Sequence, residues 1–121
     1  MRNEFVPYEL ALRMKHLGFS EPCFGYYNSK GLNYLHIKNS DELIEADYIK
    51  GNWCAAPLFQ QAFRWFRESF RISGIPTHQS YEIWDVLEGE CFIEVYPIES
   101  YEEAELACLT KLIEIAEQKQ K

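Results

Sequence analysis

Phenylalanine recurs at Phe59, Phe63, Phe66 and Phe70, in steps of four, three and four residues, and this spacing constrains the fold more than any other feature of the chain. At about 100° per residue those rings fall on one side of a helix, with Leu58 and Ala62 beside them. The spacing predicts a helix from near Pro57 to near Gly74. Burying the four rings would contribute roughly 6 to 12 kcal/mol of gross stabilisation, at about 1.5 to 3 kcal/mol each. Rings committed to a core cannot stack on bases, so the stripe is not a platform for single-stranded nucleic acid.

The other side of the same helix carries Gln60, Arg64, Arg67 and Arg71. Guanidinium groups in water, pairing with carboxylates at about 0 to 1 kcal/mol per exposed pair, form an ordinary hydrated coat. Trp65 falls at the border between the two sides, where an indole could mark a contact edge with a partner. The overall charge bears on what that partner is. Twelve Lys and Arg against 19 Asp and Glu leave a net charge of -7, which repels phosphate backbones and sets nucleic acid at a disadvantage.

The rest of the chain suggests a small α+β protein. In "PYELALRMKHLGF", Leu10, Met14 and Leu17 keep helical spacing. Pro7 suits the first turn, Gly18 suits a left-handed residue past the end, and Phe19 can then pack back on Met14. "CFGYYNSKGLNYLHIK" reads as a hairpin turning at Asn28 to Gly31. Residues 39–56 show no sustained period and read as a long ordered connection pinned by Ile44, Tyr48 and Trp53. "THQSYEIWDVLEGECFIEVYPI" reads as a second hairpin, with Tyr81, Ile83 and Leu87 alternating against Glu82, Trp84 and Val86 around a turn at Glu88 to Glu90. Ser100 and Glu103 form a capping box at the start of a last helix. Its expected stripe is Tyr101, Ala104, Cys108, Leu112 and Ile115, widened by Leu109 and Ala116, with Glu105 left wet where the first turn overhangs.

The order αββαββα predicts one domain over residues 1–121, built as a four-stranded antiparallel sheet from two hairpins with three helices mostly on one face. Alternation sets Tyr34 and His36 on one side of one strand, and Phe92 and Tyr96 on one side of another. A bare sheet face would therefore be rich in rings, and such faces are usually covered.

Catalytic and metal constellations are weak. Cys23, Cys54, Cys91 and Cys108 are far apart without C-x-x-C spacing, and read as reduced thiols. His16, His36 and His78 form no H-x-x-x-H or H-E-x-x-H, so no metal is expected. Cys91 with His36 could form a nucleophile pair if their hairpins adjoined, an arrangement that arises easily by chance with four Cys and three His. No cofactor motif is present. The N-terminal "MRNEFVPYELAL" has acidic residues where a signal peptide is basic and apolar, and no apolar run approaches membrane-spanning length; a cytoplasmic protein is expected.

The segments "FVPYELALRMKHLGFSEPCFGYY", "APLFQQAFRWFRESF" and "SYEEAELACLTKLIEI" resemble a group of small proteins encoded by phages, prophages and mobile elements of anaerobic bacteria. The resemblance covers most of the chain except the middle connection and the second hairpin. It implies a bacterial or phage-infected cytoplasm and an accessory role, and carries over no catalytic residues. Where that group has a threonine before the first helix, this chain has Pro7.

Surplus aromatic content without a catalytic constellation favours a non-enzymatic interaction protein whose partner is another protein or a second copy of itself. The expected surface comprises Tyr34, His36, Trp53, Arg64, Trp65, Arg67, Arg71, Phe92 and Tyr96. The competing expectation is a small-ligand-binding protein or enzyme with a pocket under the 39–56 connection, near Trp53, Cys54 and His36.

Overall fold

The computed structural model describes residues 4–28, 34–37 and 53–120. The expected turn at Gly31 and the stretch of the connection containing Ile44 and Tyr48 lie outside them. The described residues form three helices and two antiparallel sheets, an α+β arrangement. The chain divides into two compact units, Met1–Phe59 and Gln60–Lys121.

In the first unit, α1 (Tyr8–His16) ends as its sequence predicts. Gly18 takes φ +106°, the Phe19 N–H donates to the Met14 carbonyl at 3.0 Å, and the Gly18 N–H donates to the Lys15 carbonyl at 3.1 Å. That bond pair is a Schellman ending, and it places Phe19 in the core with Met14. Strand β1 (Gly25–Asn28) pairs antiparallel with β2 (Tyr34–Ile37), giving the expected hairpin. Its other edge pairs with β3 (Trp53–Ala56). The end of the expected connection is therefore a strand. "WCAA" shows no alternation because Cys54, Ala55 and Ala56 are all buried, and a strand buried on both faces loses the period of two. The N-terminal segment closes the unit: Phe5 bridges Leu58, the Val6 N–H donates to the Pro57 carbonyl at 2.8 Å, and the Tyr27 hydroxyl donates to the Val6 carbonyl at 2.7 Å.

In the second unit, α2 (Phe59–Ser69) is shorter than expected. Phe70 still donates to the Phe66 carbonyl at 3.0 Å, but Arg71 takes φ +59°, and the left-handed turn ends the helix there. Residues expected in the last turns form β4 (Ile72–Pro76) instead. Its β-branched Ile72 and Ile75, with Gly74 and Pro76, are poor helix formers and suit an extended chain. β4 pairs with β5 (Tyr81–Asp85), and β5 pairs with β6 (Glu90–Val95), so the second hairpin becomes a three-stranded meander. The single four-stranded sheet is thus replaced by two sheets, because each hairpin takes a third strand from the segment next to α2.

Both helices of this unit lie over the same face of the meander. A methyl group built on Gly74 would lie 3.2 Å from Cε1 of Phe63 in α2, and 2.7 and 2.8 Å from Cys108 Sγ and Leu112 Cδ1 in α3 (Tyr101–Lys119). Ser100 caps α3, its Oγ accepting from the Glu103 N–H at 3.2 Å. Ala104, Cys108, Leu109, Leu112 and Ala116 are buried as expected, together with Ile113. Tyr101 is exposed and Ile115 half-buried, contrary to the expected stripe, and Glu105 is half-buried rather than wet. Periodicity locates a helix face but not how far along the helix its cover extends.

Candidate functional site

The phenyl rings of α2 point inward: Phe59, Phe63 and Phe66 are buried and Phe70 half-buried, while Arg64 and Arg67 are exposed. Trp65 departs from expectation. At 7% exposure it is a core residue, packed edge-on against Phe66 at 5.0 Å and Phe70 at 5.5 Å, and it offers no contact edge. A helix with a sheet beneath it and aromatic neighbours buries more than its four-residue stripe. Arg71 is exposed but lies past the end of α2, where its carbonyl accepts from the Val86 N–H at 3.0 Å. It therefore leaves the arginine row. Arg64 lies 4.0 Å from Glu68, an exposed pair one turn away.

The meander's two faces differ in chemistry. Cross-strand partners share a face, so Ile72, Gly74, Tyr81 and Ile83 point to the helices. The opposite face carries Ser73, Ile75, Glu82, Trp84 and Glu94. A bulge interrupts it: Ile83 pairs with Ile93, but Trp84 pairs with Cys91, leaving Phe92 as the extra residue. Phe92 is 49% exposed, Tyr96, just past the strand, 72%, and Ile75 43%. The expected exposure of Phe92 and Tyr96 is thus present, on the side strand of the second unit. Leu87, expected to alternate with Tyr81 and Ile83, instead lies exposed in the turn, where its N–H donates to Asp85 Oδ1 at 2.9 Å.

Electrostatics give this outer face its character. Glu82 and Glu94 stand directly opposite each other on adjacent strands. Like charges so placed disfavour the pairing. The Trp84 indole N–H donates to Glu82 Oε1 at 2.8 Å, tying ring and carboxylate together, and among the described residues no cation pairs with either carboxylate. The face therefore combines partly exposed rings with a doublet of negative charge, a match for guanidinium or ammonium groups, which pair with carboxylates and stack on aromatic rings.

The remaining expected residues fall elsewhere. Tyr34 and His36 are in β2, paired with Asn28 and Tyr26, and Trp53 is in β3, paired with Asn28; their side chains lie outside the described residues. Cys91 and His36 belong to separate sheets in separate units. Burial pushes the Cys54 thiol up to about 11, slightly offset by Lys15, and burial pushes Cys108 up to about 12. Both are protonated at neutral pH and so are not nucleophiles as they stand. Among the described residues no three His, Cys, Asp or Glu side chains are gathered to hold a metal, and no helix is long and apolar enough to cross a membrane.

The expected surface does not include Glu82, Trp84, Ile75 or Glu94, which the strand pairing places on one face. Alternation in "YEIWD" already placed Glu82 and Trp84 together; what was missing was the pairing register, which the bulge at Phe92 sets. No protein-family model, curated protein or solved structure matches the chain.

Proposed function

We propose that the protein is a non-enzymatic interaction module, an accessory protein of a phage or mobile element, that holds a protein partner on the outer face of the β4–β5–β6 sheet. The observation that supports this reading is the outer face on which Ile75, Trp84, Glu82 and Glu94 stand together with no cation among the described residues paired to either carboxylate, and beside which Phe92 at the bulge and Tyr96 just past β6 are exposed. Exposed rings on such a surface are typical anchors, and carboxylates beside them select a cationic partner surface.

Affinity capture from host lysate, wild type beside a Phe92→Ser/Tyr96→Ser variant of matched thermal stability, tests this. The variant is expected to lose the proteins that wild type retains, by tenfold or more in recovered amount. Identical recovery with both proteins would refute the reading.

A further inference from the structure

We infer that the free edge of β6 takes up an extended segment of the partner protein as a further strand, one in which basic residues alternate with apolar ones. The inference rests on the proposed reading of the adjoining sheet face and names the form and chemistry of what binds there. β6 ends its sheet and pairs only with β5. Among the described residues its backbone groups bond to nothing beyond β5, except that the Ile93 carbonyl accepts from Cys91 Sγ, a weak donor, at 3.4 Å. An edge strand of this kind presents a row of unfilled donors and acceptors. Its side chains are uncovered as well. α3 lies over β4 and β5, and beyond its reach Val95 is 39% exposed and Ile93 half-buried. Both stand on the helix side of the sheet, as the partners of Tyr81 and Ile83. The opposite edge is guarded: α2 and α3 converge on β4 at Gly74, and Pro76 brings no N–H to pair.

Charge decides which segment fits. Glutamates and a bulge are devices that keep an edge from pairing indiscriminately, and β6 has both, in Glu90, Glu94 and the bulge at Phe92. A second copy of β6 brings the same glutamates to the edge and is repelled. A basic strand is drawn instead. A residue directly opposite Glu94 has its Cβ about 4.5 to 5.5 Å from that of Glu94. Glu82 stands one strand spacing farther in, at about 4.8 Å. An arginine or lysine at that position therefore meets two carboxylates that have no cation of their own among the described residues, with the Trp84 ring tied beside them. Its neighbours along the segment point to the helix side, where apolar side chains cover Val95 and Ile93. Alternation thus matches both faces of one edge, main-chain bonds supplying affinity and side chains selectivity.

Fluorescence anisotropy with labelled synthetic peptides of about seven residues, the length of an ordinary strand, tests this on the full chain. A peptide of alternating arginine and valine is expected to bind. The same composition in block order, and an alternating glutamate and valine peptide, are each expected to bind at least tenfold more weakly. N–H groups of successive residues in a strand point to opposite sides. N-methylation of the valines alone or of the arginines alone is therefore expected to abolish binding in one case and spare it in the other. Glu94→Lys, at an exposed position, is expected to weaken the arginine peptide at least tenfold. No binding of that peptide, equal binding of the block peptide, equal effects of the two methylation patterns, or an unchanged Glu94→Lys would overturn the inference. Should it be overturned while lysate capture still depends on Phe92 and Tyr96, the face receives a folded surface and the proposed function stands. Should capture also be indifferent to those rings, both readings fail.

Discussion

Gly74 shows how much one residue can hold. On β4 its missing side chain lets α2 and α3 approach the same strand position, where any Cβ would come within 2.8 Å of atoms on α3. Cys108 Sγ has little freedom to retreat, being fully buried beside the strand. Gly74→Ala is therefore expected to destabilise the protein by about 1 to 3 kcal/mol, the usual range for overpacking. Urea unfolding checks this through a lower midpoint at an unchanged slope. In a Cys108→Ala background the same change should cost less, because the nearest obstacle is gone; equal costs in both backgrounds would point to another cause. Read from the sequence, Gly74 marked the end of a helix. Its use here is spatial, and nothing in the neighbouring letters reports that two helices converge on it. Arg71 takes the left-handed position that glycine would usually fill, so the helix ends three residues earlier than the glycine suggests.

Elements with local causes were legible. The ending of α1 follows from Gly18 and Phe19, and the start of α3 follows from Ser100, whose hydroxyl satisfies the Glu103 N–H. Ser100→Ala is expected to cost about 1 kcal/mol, readable as a loss in urea midpoint, while Ser100→Asp should retain most of the cap. If alanine and aspartate prove equivalent, the cap contributes nothing. Elements with non-local causes were not legible. β3 is held by pairing with β1, some 28 residues earlier at Asn28↔Trp53 to Gly25↔Ala56, and β4 by pairing with β5 beneath two helices. Short strands of four or five residues carry little signal of their own. The candidate surface follows the same rule. Phe92 and Tyr96 are identifiable as a pair from alternation, whereas the Glu82 and Glu94 doublet needs the register, and Trp65, at the border of the α2 stripe, goes to whichever side has cover.

At the scale of the molecule, buried thiols link stability to pH. Burial raises Cys54 from an ordinary 9.0 to about 11 and Cys108 from 9.0 to about 12. Above pH 9 the unfolded chain gives up these protons while the native protein keeps them, so the native state binds more protons and stability falls as pH rises. The contribution is complete below pH 9 and disappears as pH climbs through 11 and 12. Within that window each thiol adds a slope of about 1.4 kcal/mol per pH unit. Urea midpoints should decline over this range, and Cys108→Ala should decline less steeply; parallel curves would show that this thiol does not set the slope. The sequence by itself determined the three helices, the α+β class, the inward phenyl rings of α2 and the acidic balance, because each follows from local spacing, caps or simple counting. Only the tertiary structure decided that the strands form two sheets, that Trp65 is core, and that Glu82 and Glu94 face each other beside Trp84. Those outcomes depend on strand register and on which surfaces find cover, and both are settled by residues far apart in the chain meeting in space.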